Sequence, residues 1–147
     1  AHLMEGVRIG VNCSIAEGVF IGKNVIIGAN CKIANHAVIY EGTVIKNSVY
    51  VGPKAVLVNA KYPLAHRKAR ELLSTVVEDN VCIEAGALIA GGVHIGKGAT
   101  IAIRARVIGN VPERGFMVDR PAKCRCEREE CPLCIKQRKE KEKYAKS

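Results

Sequence analysis

A large aliphatic residue recurs every six positions along most of this chain. Starting at Ile9, the step of six lands on Ile15, Ile21, Ile27, Ile33, Ile39, Ile45, Val51 and Leu57. After an interruption it lands on Val77, Ile83, Ile89, Ile95, Ile101 and Val107. Two places before each of these fifteen residues stands a small or β-branched one, from Val7, Cys13 and Val19 to Ala99 and Ala105. Gly or Ala follows the large residue in nine of the fifteen cases. Asn or Gly recurs three places after it, as at Asn12, Gly18, Asn24, Asn30, Gly42, Asn80, Gly86, Gly92 and Gly98. A helix would need a period of about 3.6, which six does not keep over so long a stretch. An inward pair two residues apart marks a short strand. Gly, Ala and Asn supply the corners, because they tolerate positive φ or crowding. One strand and one corner every six residues winds into a solenoid, in which each coil buries its inner face by stacking on the next.

The composition agrees. The chain has 147 residues, enough for one domain, and 48% of them are hydrophobic, which argues against disorder. It has no Trp, two Phe and four Tyr, so Val, Ile, Ala and Leu must fill the core, which suits stacked strands. No apolar run is long enough to span a membrane. Ala1-His2-Leu3-Met4 is too short for a signal peptide and reads as a remnant ahead of the true start, so it is set aside here. The expected compartment is the cytoplasm.

The repeat resembles that of the hexapeptide-repeat, left-handed parallel β-helix family over residues 5–112. In that family three hexapeptides make one triangular coil. Left-handedness is what the resemblance implies; the general rule for parallel crossovers gives the opposite hand. The resemblance also implies a homotrimer with sites between neighbouring subunits. The expected fold is therefore an all-β, left-handed parallel β-helix over 5–122, with a loop excursion at 58–76 and a distinct segment at 123–147. Cys13, Cys31 and Cys82 are expected in the core, at the small inward position.

From Leu57 to Val77 is twenty residues where three hexapeptides would take eighteen, so the register is expected to be lost. The intervening stretch holds Lys61, His66, Arg67, Lys68 and Arg70 against one acid, Glu71. It reads either as a solvated helical flap with a basic face or as a loop reaching over a phosphorylated ligand. The net charge of +9 is concentrated here and in the tail: residues 59–76 carry +3 and residues 123–147 carry +4. Such patches suit phosphate-bearing ligands, and the tail also reads as merely solubilising. A nucleic-acid partner is not expected.

A closer resemblance lies around this excursion. Tyr40-Glu41-Gly42, then Gly52-Pro53 one coil later, then Val58-Asn59 and Tyr62-Pro63 are similar to acyltransferases that N-acetylate an amino sugar carried on a nucleotide. The resemblance implies acetyl-CoA as co-substrate, and Asn59 and Glu41 as residues lining the sugar pocket. Val58 stands where that group usually has Thr. Tyr62 stands where other hexapeptide acetyltransferases place a catalytic His. Ile108-Gly109-Asn110-Val111-Pro112 and Val118-Asp119-Arg120-Pro121-Ala122-Lys123 resemble the segment that closes the helix near the nucleotide end of coenzyme A. Arg104 and Arg106, with Arg120 and Lys123, are the candidates for the coenzyme A phosphates, since guanidinium forks suit phosphate. Arg104 and Arg106 also read as exposed face charges.

Acetyl transfer to an amine needs the neutral amine held on the thioester carbonyl and an outlet for a proton. Glu41 can take or relay that proton, and Asn59 can hold the amine or the carbonyl oxygen. His66 is a further acid/base candidate. His36, at a corner, and His94, just before an inward Ile, are other candidates: both are expected to point outward, where they read either as plain surface residues or, in a trimer, as groups that reach a ligand in the subunit cleft.

Cys124-x-Cys126 and Cys131-x-x-Cys134 pack four thiols into eleven residues. Four thiolates suit a closed tetrahedral zinc site with a structural role. Disulfides are the alternative for an oxidising or hyperthermophilic setting, and an iron–sulfur centre fits less well. Beyond the cluster, Glu and Lys recur at helical spacing. Two rival functions are open to a chain of this pattern. A γ-type carbonic anhydrase on the same fold would need three histidines on one metal, and only His36, His66 and His94 are available. A non-catalytic binding or assembly module would use zinc and the basic tail for contacts.

Overall fold

The computed structural model describes residues 1–60 and 72–119, together with 139, 140, 142 and 143. Among these residues the chain winds as a left-handed parallel β-helix of two-residue strands. The first sheet stacks β1 (His2–Leu3), β4 (Phe20–Ile21), β7 (Val38–Ile39), β10 (Val56–Leu57), β13 (Leu88–Ile89) and β16 (Arg106–Val107). The second stacks β2 (Arg8–Ile9), β5 (Ile26–Ile27), β8 (Val44–Ile45), β11 (Val76–Val77) and β14 (His94–Ile95). The third stacks β3 (Ser14–Ile15), β6 (Lys32–Ile33), β9 (Tyr50–Val51), β12 (Cys82–Ile83), β15 (Thr100–Ile101) and β17 (Phe116–Met117). Every pairing is parallel and in register, as Val56 with Val38 and Leu88 shows. Each coil therefore lies about 4.8 Å above the last.

The residues of the six-fold series point inward. Ile21, Ile33, Ile39, Leu57, Val77, Ile83, Ile89, Ile95 and Ile101 are fully buried. The small residues two places earlier fill the space beside them, with Ala37, Ala55, Ala87 and Ala99 equally buried. The corners behave as the Asn and Gly spacing requires: Asn12, Asn24, Asn30 and Asn80 have φ near +60°, and six glycines lie at higher positive φ.

Several expectations are corrected. Residues His2 and Leu3 belong to the fold: they form β1 and pair with Phe20 and Ile21. Leu3 lies six residues before Ile9, so the series runs one step further back than the sequence reading took it. The register is also not lost at the excursion. Leu57 ends β10 on the first sheet and Val77 ends β11 on the second, which are consecutive positions of the winding. The winding therefore resumes at the position where it stopped. Cys13 and Cys31 do sit at the small inward position, Cys31 buried and Cys13 half-buried near the end of the stack. Cys82 does not. It is the outward residue of β12, between Tyr50 and Thr100 on the sheet's outer face, and the inward position beside it belongs to Val81.

At the far end the corner after β16 is shortened. Val111 pairs with Ile95 as an isolated bridge and is buried, so it takes the inward place only four residues after Val107. Among the tail residues that are described, Lys139, Glu140, Glu142 and Lys143 are helical and exposed, as the Glu/Lys spacing predicts. Among the described residues no helix is long and apolar enough to cross a membrane.

Candidate active site

The excursion leaves the β-helix at the corner between the first and second sheets. On the coil below, Ile39 turns inward and Gly42, at φ +79°, makes the corner, which leaves Glu41 half-buried on the edge. One coil up, Asn59 occupies the equivalent place after Leu57. The two residues that the sequence selects for the sugar pocket are therefore stacked on one edge. Asn59 Nδ2 donates to the Glu41 backbone carbonyl at 3.2 Å, so this amide is partly a structural clasp. Among the described residues, neither the Glu41 carboxylate nor Asn59 Oδ1 has a hydrogen-bonding partner. Both are acceptors, and an edge offering two acceptors suits a ligand that brings N–H or O–H donors.

The returning chain is tied to the same corner. Leu73 N–H donates to the Asn59 carbonyl at 2.8 Å, and Ser74 Oγ donates to the Gly42 carbonyl at 2.9 Å. Thr75 is buried at the small inward position; its hydroxyl bonds the Val58 carbonyl at 3.3 Å and accepts the Gly92 N–H at 3.1 Å. A Cβ on Gly92 would approach the Leu73 side chain at 3.2 Å, so the return strand passes closely over the corner of the next coil. Both ends of the excursion are thus held at one point of a rigid edge.

A second cluster lies on the outer face of the second sheet, one coil above. His94 points outward from β14, and its Nε2 is 3.0 Å from Glu78 Oε1, just past the end of β11. Asn110 Oδ1 accepts the His94 backbone N–H at 2.9 Å. A groove of about 520 Å³ opens beside the pair, lined also by Gly96, Lys97, Val111, Pro112 and Glu113. Sequence reasoning placed His94 outward but missed Glu78 as its partner. Writing the chain in rows of one coil would have exposed it, since Val76 stands directly beneath His94.

The remaining predicted residues are dispersed. Arg104 holds a corner between the third and first sheets at φ +55°, its side chain lying over Gly86. Arg106 points outward from β16 and already has a carboxylate partner, Asp119, with Nε 3.0 Å from Oδ2. His36 is on the same edge as Arg104, with its ring over Gly18. His36 and His94 therefore lie on different sides of the prism. His66, Arg120, Lys123, Cys124, Cys126, Cys131 and Cys134 lie outside the described residues. Among the described residues no three His, Cys, Asp or Glu side chains gather as a metal site. Burial raises the Cys31 thiol above its ordinary pKa, and burial followed by the nearby Glu84 charge does the same for Cys82, so neither is poised as a nucleophile.

Solved structures share this architecture. GDP-perosamine N-acetyltransferase from Caulobacter crescentus, in complex with CoA and GDP-perosamine, matches with a TM-score of 0.69 at 20% identity, over 86% of this chain and 53% of that one. The chain has the fold of the hexapeptide-repeat acetyltransferases. A hexapeptide-repeat acetyltransferase from Vibrio cholerae matches with a TM-score of 0.66 at 24% identity, covering 74% of this chain and 66% of that one. Among curated proteins, 2,3,4,5-tetrahydropyridine-2,6-dicarboxylate N-acetyltransferase from Staphylococcus aureus is 37% identical over 76 residues, which is 52% of this chain. The chain spans only 29% of the length of that relative. No family model matches the chain.

Proposed function

We propose that this chain is an acyltransferase that uses acetyl-CoA to N-acetylate an amino sugar carried on a nucleotide, and that it works as a homotrimer. The observation that carries the reading is the corner itself. Asn59 and Glu41 stack on one edge, where the excursion leaves a fold shared with acetyltransferases, and they present two acceptors there. Support for the substrate class comes from the similar enzyme that was solved with CoA and GDP-perosamine. In this reading Glu41 and Asn59 grip the sugar. His66, and Glu41 itself, lead the candidates that the sequence offers for the proton, ahead of His36 and His94.

Positioning supplies most of the rate in such a transfer, because a bound amine on a bound thioester reacts as if intramolecular. Arg104, Arg120 and Lys123 are available for coenzyme A phosphates, and Arg106 can join them while it keeps Asp119. A structural zinc on Cys124, Cys126, Cys131 and Cys134 rests on the ligand spacing alone.

The test is calorimetric titration of the purified protein with acetyl-CoA, followed by a thiol-release assay with GDP-perosamine. Saturable binding near one site per subunit and thiol release are expected. Asn59→Ala and Glu41→Ala are expected to cut kcat/KM by about 100-fold or more, as loss of oriented binding does, while the fold is kept. Full activity in both variants would remove the pocket from this corner. No acetyl-CoA binding by folded protein would leave the binding-module reading.

A further inference from the structure

We infer that the rings of Tyr40 and Phe20, with Lys23 beside them, hold the nucleoside diphosphate of the acceptor at the outer face of the first sheet. The inference rests on the acyltransferase reading above and deepens it by naming where the nucleotide lies once Glu41 and Asn59 have gripped the sugar.

The groups stand in the order that such a ligand needs. Glu5, Lys23, Glu41 and Asn59 form one column along the edge between the first and second sheets. The Asn24 N–H donates to the Glu5 carbonyl, the Gly42 N–H to the Lys23 carbonyl and Asn59 Nδ2 to the Glu41 carbonyl. Below the sugar grip, Lys23 therefore comes next, about 4.8 Å under Glu41. It is exposed, and among the described residues no carboxylate pairs with it, neither Glu5 nor Glu41 on the adjoining coils. A free ammonium suits phosphate oxygens as a point charge. Flanked by two acids, it supplies only a modest pull, so most of the affinity has to come from the base.

The rings are placed to supply it. Phe20 is the outward residue of β4, three residues before Lys23, a span of at most about 10 Å. Tyr40 precedes Glu41 at the end of the same face, one coil up, and the Gly22 beneath it has no side chain to fill the space. The Tyr40 and Phe20 ring centroids are 6.5 Å apart at 60°. His2 stacks on Phe20 from the coil below, at 5.7 Å and 7°. Tyr40 is 42% exposed and meets Phe20 at a tilt, so part of its ring is left for another planar group. Such a surface takes a base by stacking.

The direction also fits. Arg104 and Arg106, the candidates for coenzyme A phosphates, lie on coils above the Asn59 corner. Two long substrates that meet at one corner avoid each other by entering from opposite ends. The donor then lies along the upper coils, and the acceptor's nucleotide runs down the edge past Lys23 and turns onto the rings.

The experiment is calorimetric titration of the full chain with GDP and with thymidine diphosphate, alongside thiol release from acetyl-CoA with GDP-perosamine. Both diphosphates should bind, because stacking tolerates any base. Tyr40→Ala should weaken both by about 5- to 150-fold, the worth of one base–aromatic stack. Tyr40→Phe should restore that affinity, since the ring and not the hydroxyl stacks. Lys23→Gln should weaken GDP by about two- to fivefold, the worth of an exposed ion pair, and leave guanosine binding unchanged. In turnover, Tyr40→Ala should raise KM for GDP-perosamine with kcat within about threefold, as loss of uniform binding requires. Wild-type GDP affinity in both Tyr40→Ala and Phe20→Leu, with Asn59→Ala impaired in turnover, would overturn this inference and leave the acyltransferase reading standing. A changed oligomeric state of Tyr40→Ala at unchanged GDP affinity would give the rings to a second copy of the chain and overturn it too. A wild-type protein that binds both diphosphates through Tyr40 and acetylates no nucleotide-linked amino sugar would overturn the acyltransferase reading and keep the nucleotide site.

Discussion

The corner residues of this β-helix hold φ between +55° and +79°, a conformation in which a Cβ is crowded by the following carbonyl oxygen. Gly and Asn take it cheaply. His36, Ser48, Lys54, Arg104 and Arg114 take it too, at a cost of about 1 to 2 kcal/mol each. The Asn and Gly spacing was legible in the sequence, and so was the corner at His36, but Ser48, Lys54, Arg104 and Arg114 were not, because side-chain identity there contradicts the backbone that the winding imposes. Lys54 is the simplest case: it is exposed, and its N–H already donates to the Asn35 carbonyl at 3.0 Å. Lys54→Gly should relieve the crowding and lose about 0.5 to 1 kcal/mol to the greater freedom of the unfolded chain. The net expectation is a stabilisation of about 0.5 to 1 kcal/mol, read as a higher urea midpoint at unchanged slope. A lower midpoint would mean that the lysine stem packs on the edge more strongly than its exposure indicates. Glycine also serves here without positive φ. Gly52 sits so close to the next coil that a Cβ would meet the Ala85 nitrogen at 2.6 Å.

At the scale of the element, the excursion shows what a periodic reading can and cannot give. The loss of pattern after Leu57 located it, and its basic side chains left two readings, a solvated flap or a loop over a phosphorylated ligand. The count of residues between Leu57 and Val77 suggested a broken register, yet strand pairing decides the matter. Val76 sits between Val44 and His94 in one sheet, so the winding continues unbroken. Linear spacing does not reveal where the two ends of an insertion meet. The same pairing brings Glu78 to His94, a contact invisible to a reading that treats each hexapeptide alone. Thr75 closes the neck of the excursion, and its inward position was read only as small or β-branched. Its hydroxyl joins two successive coils by meeting Val58 and Gly92 at once. Thr75→Val keeps the shape and removes the acceptor of the Gly92 N–H, a bond only partly shielded from water, which should cost about 0.5 to 1.5 kcal/mol. Thr75→Ser should recover most of it. Denaturation of both variants checks this, and equal stability of Thr75→Val and wild type would show that the hydroxyl is dispensable to the neck.

For the whole molecule, the stack is close to one-dimensional, because each coil meets only the coil above and the coil below. The inward ladder is completely covered in the middle and thins toward its first coils: Ile45 is 1% exposed, while Ile9 and Ile15 are only partly buried. The strand β1 covers the start of one sheet only, and the second and third begin uncovered at β2 and β3. Cost should therefore follow position and not chemistry. Ile45→Ala removes the same atoms as Ile15→Ala, but it leaves a cavity with backbone on both sides. The middle substitution should cost about 2 to 5 kcal/mol. The terminal one should cost clearly less, since part of that side chain never left water. Hydrogen exchange should follow the same gradient, with the amides of β2 and β3 opening at lower free energy than those of β8 and β12. Chemical denaturation of the two variants, with exchange on the wild type, measures it. Equal costs would mean that the first coil is covered as completely as the middle, which this chain alone does not provide.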